Sequence, residues 1–502
     1  MTTRRPVFIA SFLFLSLVWL ASPRAAATDV DRLVAAVLSD TPLANDLRAL
    51  TDEIGGRPTG SAANLKAIEW ALDRFKAAGV DARKEAFSMP ARWLERSASA
   101  TLSGDLTFVP RVSAMPFSTA TMGEGLRAPL IDGGAGTDAD LKRLGQSAKG
   151  AWIVIETSEL QTIEDLFKEY ANAAAIEQRV FPASPAGLVY MSSRPRGLLY
   201  RHNASLGPDN RHPMIVMERE EAQRVLRLLR AGRRLTLAAR LDIDAGGPYE
   251  SSNVIGEIRG TDRPNEIVLI GAHLDSWDLG TGALDNGCNV ALVIDLARQM
   301  KRLGLRPRRT IRFALFNGEE QGMNGSWGYT KTHRAELDRH VVATSHDIGS
   351  GRITGFFTNG RADLVPLVDR ALTAVAGLGP FDTVNAPIVG TDNFDFMLEG
   401  VPNLVANQES ANYGPNYHAR SDTFDKVDLR QLRLNAAIAA AVTWGFAEAE
   451  TNLPRHSRAQ IEALIKSTDL EAQMRSLGVW KEWEAGQRGR IISSPSPPRP
   501  PR

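Results

Sequence analysis

From residue 252 onward the chain alternates between two textures. "NVIGEI", "EIVLIGA", "TIRFALF", "VVATS" and "PNLVA" are short, nearly continuous apolar runs of strand length. Between them lie stretches whose apolar residues recur every three or four positions. "NVALVIDLARQMKRLG" puts Val290, Ile294 and Ala297 on one face and ends at Gly304. "GSWGYTKTHRAEL", "ADLVPLVDRALTAVAG" and "LRLNAAIAAAVTWGFAEAE" predict further helices. Apolar strands alternating with amphipathic helices predict an α/β fold, with a mostly parallel sheet and helices on both faces.

Ahead of this region, "TDVDRLVAAVLSD" and "SAANLKAIEWALDRFKAAG" predict helices. In the second, Leu65, Ile68, Leu72 and Phe75 share a face, Ser61 is the N-cap and Gly79 the stop. From Met115 to Asp242 the pattern changes to "APLID", "AWIVIE", "AGLVYM", "PMIVME" and "LTLAARLDI", with "EEAQRVLRLLRAG" as a helix. This predicts a separate small α/β module inserted into the larger one. The expected organisation is a leader over 1–27, an N-terminal part of the main domain over 28–114, the insert over 115–242, the main domain again over 243–470, and a tail over 471–502. The tail ends in the proline-rich "SSPSPPRPPR", which predicts partial disorder.

The leader has its own pattern. Arg4 and Arg5 precede an apolar run from Val7 to Leu20, followed by Ala25-Ala26-Ala27. A basic start, a short apolar stretch and small residues predict an export signal, hence a secreted or periplasmic protein with no membrane attachment after cleavage. The alternative, a retained anchor, needs ~20 apolar residues. Lys and Arg total 59 against 58 Asp and Glu, so no nucleic-acid partner is expected. The single cysteine, Cys288, excludes an intrachain disulfide and is expected in the core.

The candidate chemistry collects where apolar strands end. His273 follows "IVLIGA", Glu319 and Glu320 follow "IRFALFNG", and Asp347 follows "VVATSH". His418 lies in the loop after "PNLVA", and Asp285 stands twelve positions beyond His273. In α/β sheets sites form at the carboxyl ends of strands. Imidazoles and carboxylates are suitable zinc ligands. One metal needs three or four of them; five with one bridging carboxylate would serve two. The neighbouring glutamates suit a division of labour, one binding metal and the other free as a base. Asp275 is placed to accept the second N–H of His273 and fix its tautomer. Glu-Glu pairs and His-x-Asp triplets are each common on solvated surfaces, so the clustering is what counts. His202, His212 and His456 are expected in polar loops, His333 and His340 on a solvated helix face, and His346 pointing away from Asp347.

The pieces "GAHLDSWDLGTGALDNG", "FALFNGEEQGMNGS", "HDIG" and "NYHARSDT" together resemble the di-zinc exopeptidases that include bacterial zinc aminopeptidases and carboxypeptidase Q. "HLDSWD" resembles the carboxypeptidase Q branch, "GGRPTGSAANLKAIEWALDRFKAAG" the family's N-terminal helix region, and the insert its protease-associated domain. The resemblance implies two Zn2+ ions. His273 and Asp347 would bind one, Glu320 and His418 the other, with Asp285 shared and a cis peptide after it. It implies Glu319 as general base and Tyr417 as a group polarising the scissile carbonyl. Asn286 stands where many relatives carry an Asp, and Cys288-Asn289 where small residues are usual. The expected activity is hydrolysis of dipeptides or short peptides, as carboxypeptidase, dipeptidase or aminopeptidase. Glu409 or Asp392 is a candidate for holding a free amine. A ligand-binding protein on an inactive peptidase domain and a single-zinc acyltransferase are the competing readings. The insert carries none of the proposed ligands. It is expected to restrict substrate size or assemble a homodimer, and its excision to leave a zinc-binding core.

Overall fold

The structure, a computed structural model, describes residues 27–451 and 453–491. The leader, apart from Ala27, and the proline-rich ending lie outside the described residues.

The main domain is built on a seven-stranded sheet. Its spatial order is Asp81–Met89, Tyr249–Ile258, Arg309–Phe316, Arg263–His273, His340–Ser345, Asn403–Gln408 and Ile353–Phe357. The three pairings at its centre are parallel. The other three, towards the two edges, are antiparallel. The sheet is therefore mixed rather than mostly parallel. The apolar-run criterion finds buried central strands and passes over Asp81–Met89, whose half-exposed sequence "DARKEAFSM" carries few apolar residues. Arg309–Phe316 and His340–Ser345 are buried at every position, as strands covered on both faces must be.

Helices Asp29–Leu38, Ala62–Ala77, Cys288–Arg302 and Leu429–Glu448 share one apolar core with the sheet. Ser61 caps Ala62–Ala77 by accepting from the Asn64 N–H. The buried face of that helix runs through Ala67, Ile68, Ala71, Leu72 and Phe75, and Leu65 turns to solvent at 58% exposure. The small alanines, not the leucine, let the helix approach the sheet. Cys288 is fully buried, as a core residue.

The second sheet has the order Arg92–Gly104, Leu235–Gly246, Leu126–Asp132, Trp152–Ile155, Gly187–Met191, Met214–Met217 and Val112–Ala114. It spans residues 92–246 and so exceeds the expected 115–242 at both ends. The long strand Arg92–Gly104 reads "RWLERSASATLSG", in which Ser and Ala give little contrast between inner and outer faces. The helix Ile163–Val180 was also absent from the sequence reading; Thr162 caps it with a capping box. The two sheets have separate apolar cores, but Trp277, from the main domain, sits in the core of the second, edge-on to Trp93. At the C-terminus, helices Leu470–Ser476 and Trp480–Glu484 pack around Phe394 and Met323 instead of forming a loose tail. Among the described residues no helix is long and apolar enough to cross a membrane.

Candidate active site

His273 is the last residue of its strand, and the chain then turns through Trp277 and Gly282 to Asp285. Gly282 has φ of +62°, and a Cβ there would meet Ser276 at 2.3 Å, so the turn requires glycine. Arg57 fastens this loop. Fully buried, it donates to the carbonyls of Leu274, Thr281 and Gly282 at 2.5, 2.9 and 3.0 Å. Asp422 fastens the end of the loop, accepting the N–H groups of Ala283, Leu284 and Asp285 at 3.0, 2.6 and 3.1 Å. Neither was singled out from the sequence, although both lie in stretches that carry the family resemblance. An arginine whose partners are carbonyls leaves no charge-pairing signal to read.

The structure brings five predicted ligands together in two groups. His273, Asp285 and Asp347 form one and Asp285, Glu320 and His418 the other; within each, the ligand atoms lie within 4.8 Å of one another. His273 Nε2 stands 2.8 Å from Asp347 Oδ1 and 3.1 Å from Asp285 Oδ1. His418 Nε2 stands 2.7 Å from Glu320 Oε2 and 3.3 Å from Asp285 Oδ2. Asp285 thus gives one oxygen to each group. All five are buried.

Burial sets the electrostatics. It pushes the carboxyls of Asp347 and Glu319 above the usual range and that of Glu320 to about 7. Burial also opposes charge on Asp285 and His418. The two imidazoles nevertheless hold Asp285 well below its ordinary value, and Glu320 with Asp285 carries His418 up to about 9. Glu320 Oε1 is buried with no hydrogen-bond donor. A cation beside it would satisfy that acceptor. The donor set, imidazole nitrogens with carboxylate oxygens, suits zinc.

The surrounding contacts differ in part from expectation. The backbone carbonyl of Asp275, at 3.0 Å, faces His273 Nδ1, whereas the Asp275 carboxylate lies 3.7 Å away. That carboxylate instead accepts from the Thr59 hydroxyl at 2.8 Å and the Glu319 N–H at 3.4 Å. It therefore positions the segment bearing Glu319. Asn286 donates to the His346 carbonyl at 2.8 Å and accepts from Asn289 at 2.7 Å, so the two departures from the family pattern complement each other. The peptide between Asp285 and Asn286 is cis. The Tyr417 ring stacks on His418 at 3.6 Å between centroids, and its hydroxyl lies 3.4 Å from that of Tyr170 in the second domain.

The remaining histidines lie outside the two groups. His346 packs edge-on against Phe356 and belongs to neither group. His333 and His340 are buried, not solvated. His333 Nε2 faces Glu85 at 2.8 Å, and His340 opens a strand with its Nε2 2.8 Å from the Tyr329 hydroxyl. The helix ends at Thr332, five residues short of the prediction. His202 is in a loop but buried, with its ring tilted against that of Tyr170. Glu409 is exposed and paired with Arg352. Asp392 is buried, and among the described residues neither of its carboxylate oxygens has a hydrogen-bond donor.

Residues 253–443 match the model of Peptidase family M28. Carboxypeptidase Q from Bos taurus is 27% identical over 425 residues, which cover 82% of this chain and 86% of the relative. Aminopeptidase YwaD from Bacillus subtilis is 24% identical over 438 residues, covering 84% and 87%. The solved structure of a peptidase M28 precursor from Shewanella amazonensis superposes with a TM-score of 0.76 at 27% identity, over 85% of this chain and 98% of that one. A zinc aminopeptidase from Bacillus subtilis shares the fold, with a TM-score of 0.65 at 21% identity over 81% and 95%. The chain is thus a metallo-exopeptidase that resembles Peptidase family M28 through residues 253–443 and carboxypeptidase Q and bacterial aminopeptidases over most of its length.

Proposed function

We propose that the enzyme holds two zinc ions and hydrolyses dipeptides or short peptides outside the cytoplasm, in the manner of carboxypeptidase Q. His273 and Asp347 hold one ion, Glu320 and His418 the other, and Asp285 serves both. The observation that carries this reading is the position of Asp285, with one oxygen towards each histidine. Zinc bound there would supply Lewis-acid polarisation of the scissile carbonyl and a water whose pKa is lowered towards ~7. Glu319, next in sequence to a ligand but bonded to neither imidazole, accepts the proton of the attacking water and returns it to the leaving amine. Asp275 holds the Glu319 backbone in place for that transfer. Tyr417, stacked on His418, directs its hydroxyl to the developing oxyanion. The second domain limits access to short substrates or assembles a homodimer.

One observation favours the alternative, an aminopeptidase releasing N-terminal residues. Holding a substrate carboxylate needs an available cation, and the buried arginines of the region are already bonded. Arg57 is held by carbonyls, Arg194 by Glu169, and Arg201 by Asp278 and Glu95. Asp392, by contrast, has a carboxylate without donors. Free, N-acetylated and C-amidated dipeptides, each tested with and without chelator, separate the two. Cleavage of N-acetylated but not C-amidated dipeptides identifies a carboxypeptidase; the reverse identifies an aminopeptidase; cleavage only of fully free dipeptides identifies a dipeptidase. Hydrolysis unaffected by exhaustive chelation would overturn both readings.

A further inference from the structure

The second domain supplies no ligand, yet it touches the ligand loops at several points. Residues 199–201 run antiparallel to residues 418–420 as a short ladder. The Arg201 N–H donates to the His418 carbonyl at 3.0 Å, and the Arg420 N–H to the Leu199 carbonyl at 2.9 Å, around the bridge between Tyr200 and Ala419. His418 Nδ1 lies 3.1 Å from the Arg201 carbonyl. Asn203 donates to the Glu320 carbonyl at 2.7 Å, and Arg194 to the Tyr417 carbonyl at 3.3 Å.

His418 itself has φ of +55°. A histidine in the left-handed region is strained and stays there only where its surroundings fix it. The ladder is that fixture, and Arg201 anchors the ladder. Its side chain is 1% exposed and bridges the two domains. It makes two bonds to Asp278 of the main domain, at 2.8 and 3.0 Å. It makes two more within its own domain, to Glu95 at 2.6 Å and the Ala114 carbonyl at 2.8 Å. Four bonds from a rigid guanidinium leave the backbone of residue 201 little freedom.

We infer that Arg201 is a positioning residue for the metal centre: through its own carbonyl it fixes the tautomer and direction of His418, so the second domain completes one half of the site. An imidazole that donates Nδ1–H to a carbonyl presents Nε2 as the ligand, and loss of such a partner typically weakens metal binding by ~10–100-fold. The inference runs against the expectation that excising the domain leaves a zinc-binding core.

It rests on the two-zinc reading, and the test separates the two. The full chain and its Arg201→Met, Arg201→Lys and Asp278→Asn variants are stripped of metal and checked for folding by thermal melting. Each is then titrated with zinc in competition with a chromophoric chelator. The unaltered protein is expected to bind two ions. Arg201→Met is expected to keep one at unaltered affinity and bind the other ~10–100-fold more weakly. Arg201→Lys, which supplies charge but not the fork, is expected to fall between. If Arg201→Met does not fold, Asp278→Asn is judged by the same criterion. Two ions bound at unaltered affinity in the folded variant would overturn the inference, and so would equal weakening of both, the signature of general destabilisation. If the unaltered protein takes up no zinc, the two-zinc reading fails and this inference with it; if it takes up two and the variant holds both tightly, this inference alone fails.

Discussion

Glu319 and Glu320 are adjacent in the chain but face different neighbours: Glu320 faces His418, while Glu319 bonds neither imidazole. Glu319→Gln is expected to bind zinc normally and lose ~10²–10⁴-fold in kcat, the usual worth of a general base. Glu320→Gln is expected to lose metal as well. Zinc content and steady-state rates measured on the same preparations check the split; equal zinc and equal rates would reject it. Asp422 makes a sharper stability test. Asp422→Ala leaves the N–H groups of Ala283, Leu284 and Asp285 unpaired in a buried turn, at a cost of about 3 kcal/mol or more. Urea unfolding of the metal-free protein measures this without involving zinc. At this scale His273, Glu320 and Asp347 were legible because each closely follows an apolar run, and Asp285 and His418 because they lie in the loops beyond such runs. Arg57 and Asp422 were not, because they act on backbone atoms of residues far away in the chain, and Arg201 was not, because it meets His418 through its own carbonyl. Asp275 was found but given the wrong contact, since the spacing does not say whether its carboxylate or its carbonyl meets His273.

Among the elements, strands were legible where apolar residues run on or alternate clearly, as at Arg309–Phe316 and Leu235–Gly246, and illegible where small or charged residues blur that contrast, as at Arg92–Gly104 and Asp81–Met89. The helix Ile163–Val180 was missed although Thr162 and Asp165 form its capping box, because no apolar run announces it. That helix carries an acid whose titration is coupled to folding. Glu177 is 1% exposed and accepts from the Ser205 hydroxyl and N–H at 2.6 and 3.0 Å. Burial outweighs these bonds and pushes its carboxyl from 4.5 to about 7. The native state then holds a proton that the unfolded chain releases. The resulting stability is full below pH 4.5 and is lost as pH rises through about 7. Glu177→Gln keeps the neutral form at every pH. Its urea midpoint is expected to match that of the unaltered protein near pH 4 and exceed it near pH 8, by up to about 3 kcal/mol in stability. Parallel pH profiles for the two proteins would refute this.

For the molecule as a whole, metal binding and stability should be linked. The two ligand groups draw on strand ends of the main sheet, and their loops are tied to the second domain. Zinc at a hundredfold its Kd stabilises the native state by ~2.7 kcal/mol per site. Chelation is therefore expected to abolish hydrolysis and lower Tm, and added zinc to restore both. A chelator-insensitive Tm would count against tightly held ions. The presence of two sheets was legible from the change in apolar texture. The length of the connecting ribbon was not, because its small and polar residues differ little between inner and outer faces.

The pairing of Asp81–Met89 with Tyr249–Ile258 also sets an order of events during synthesis. Met89 lies opposite Tyr249, and Arg92 opposite Gly246. An edge strand made early must wait for a partner about 160 residues later, roughly 10–30 s at ribosomal speeds. Everything needed for the second sheet emerges within that interval. The inserted domain is thus free to fold while the enzyme's own sheet is still incomplete, and the later catalytic strands assemble against a partner already in place.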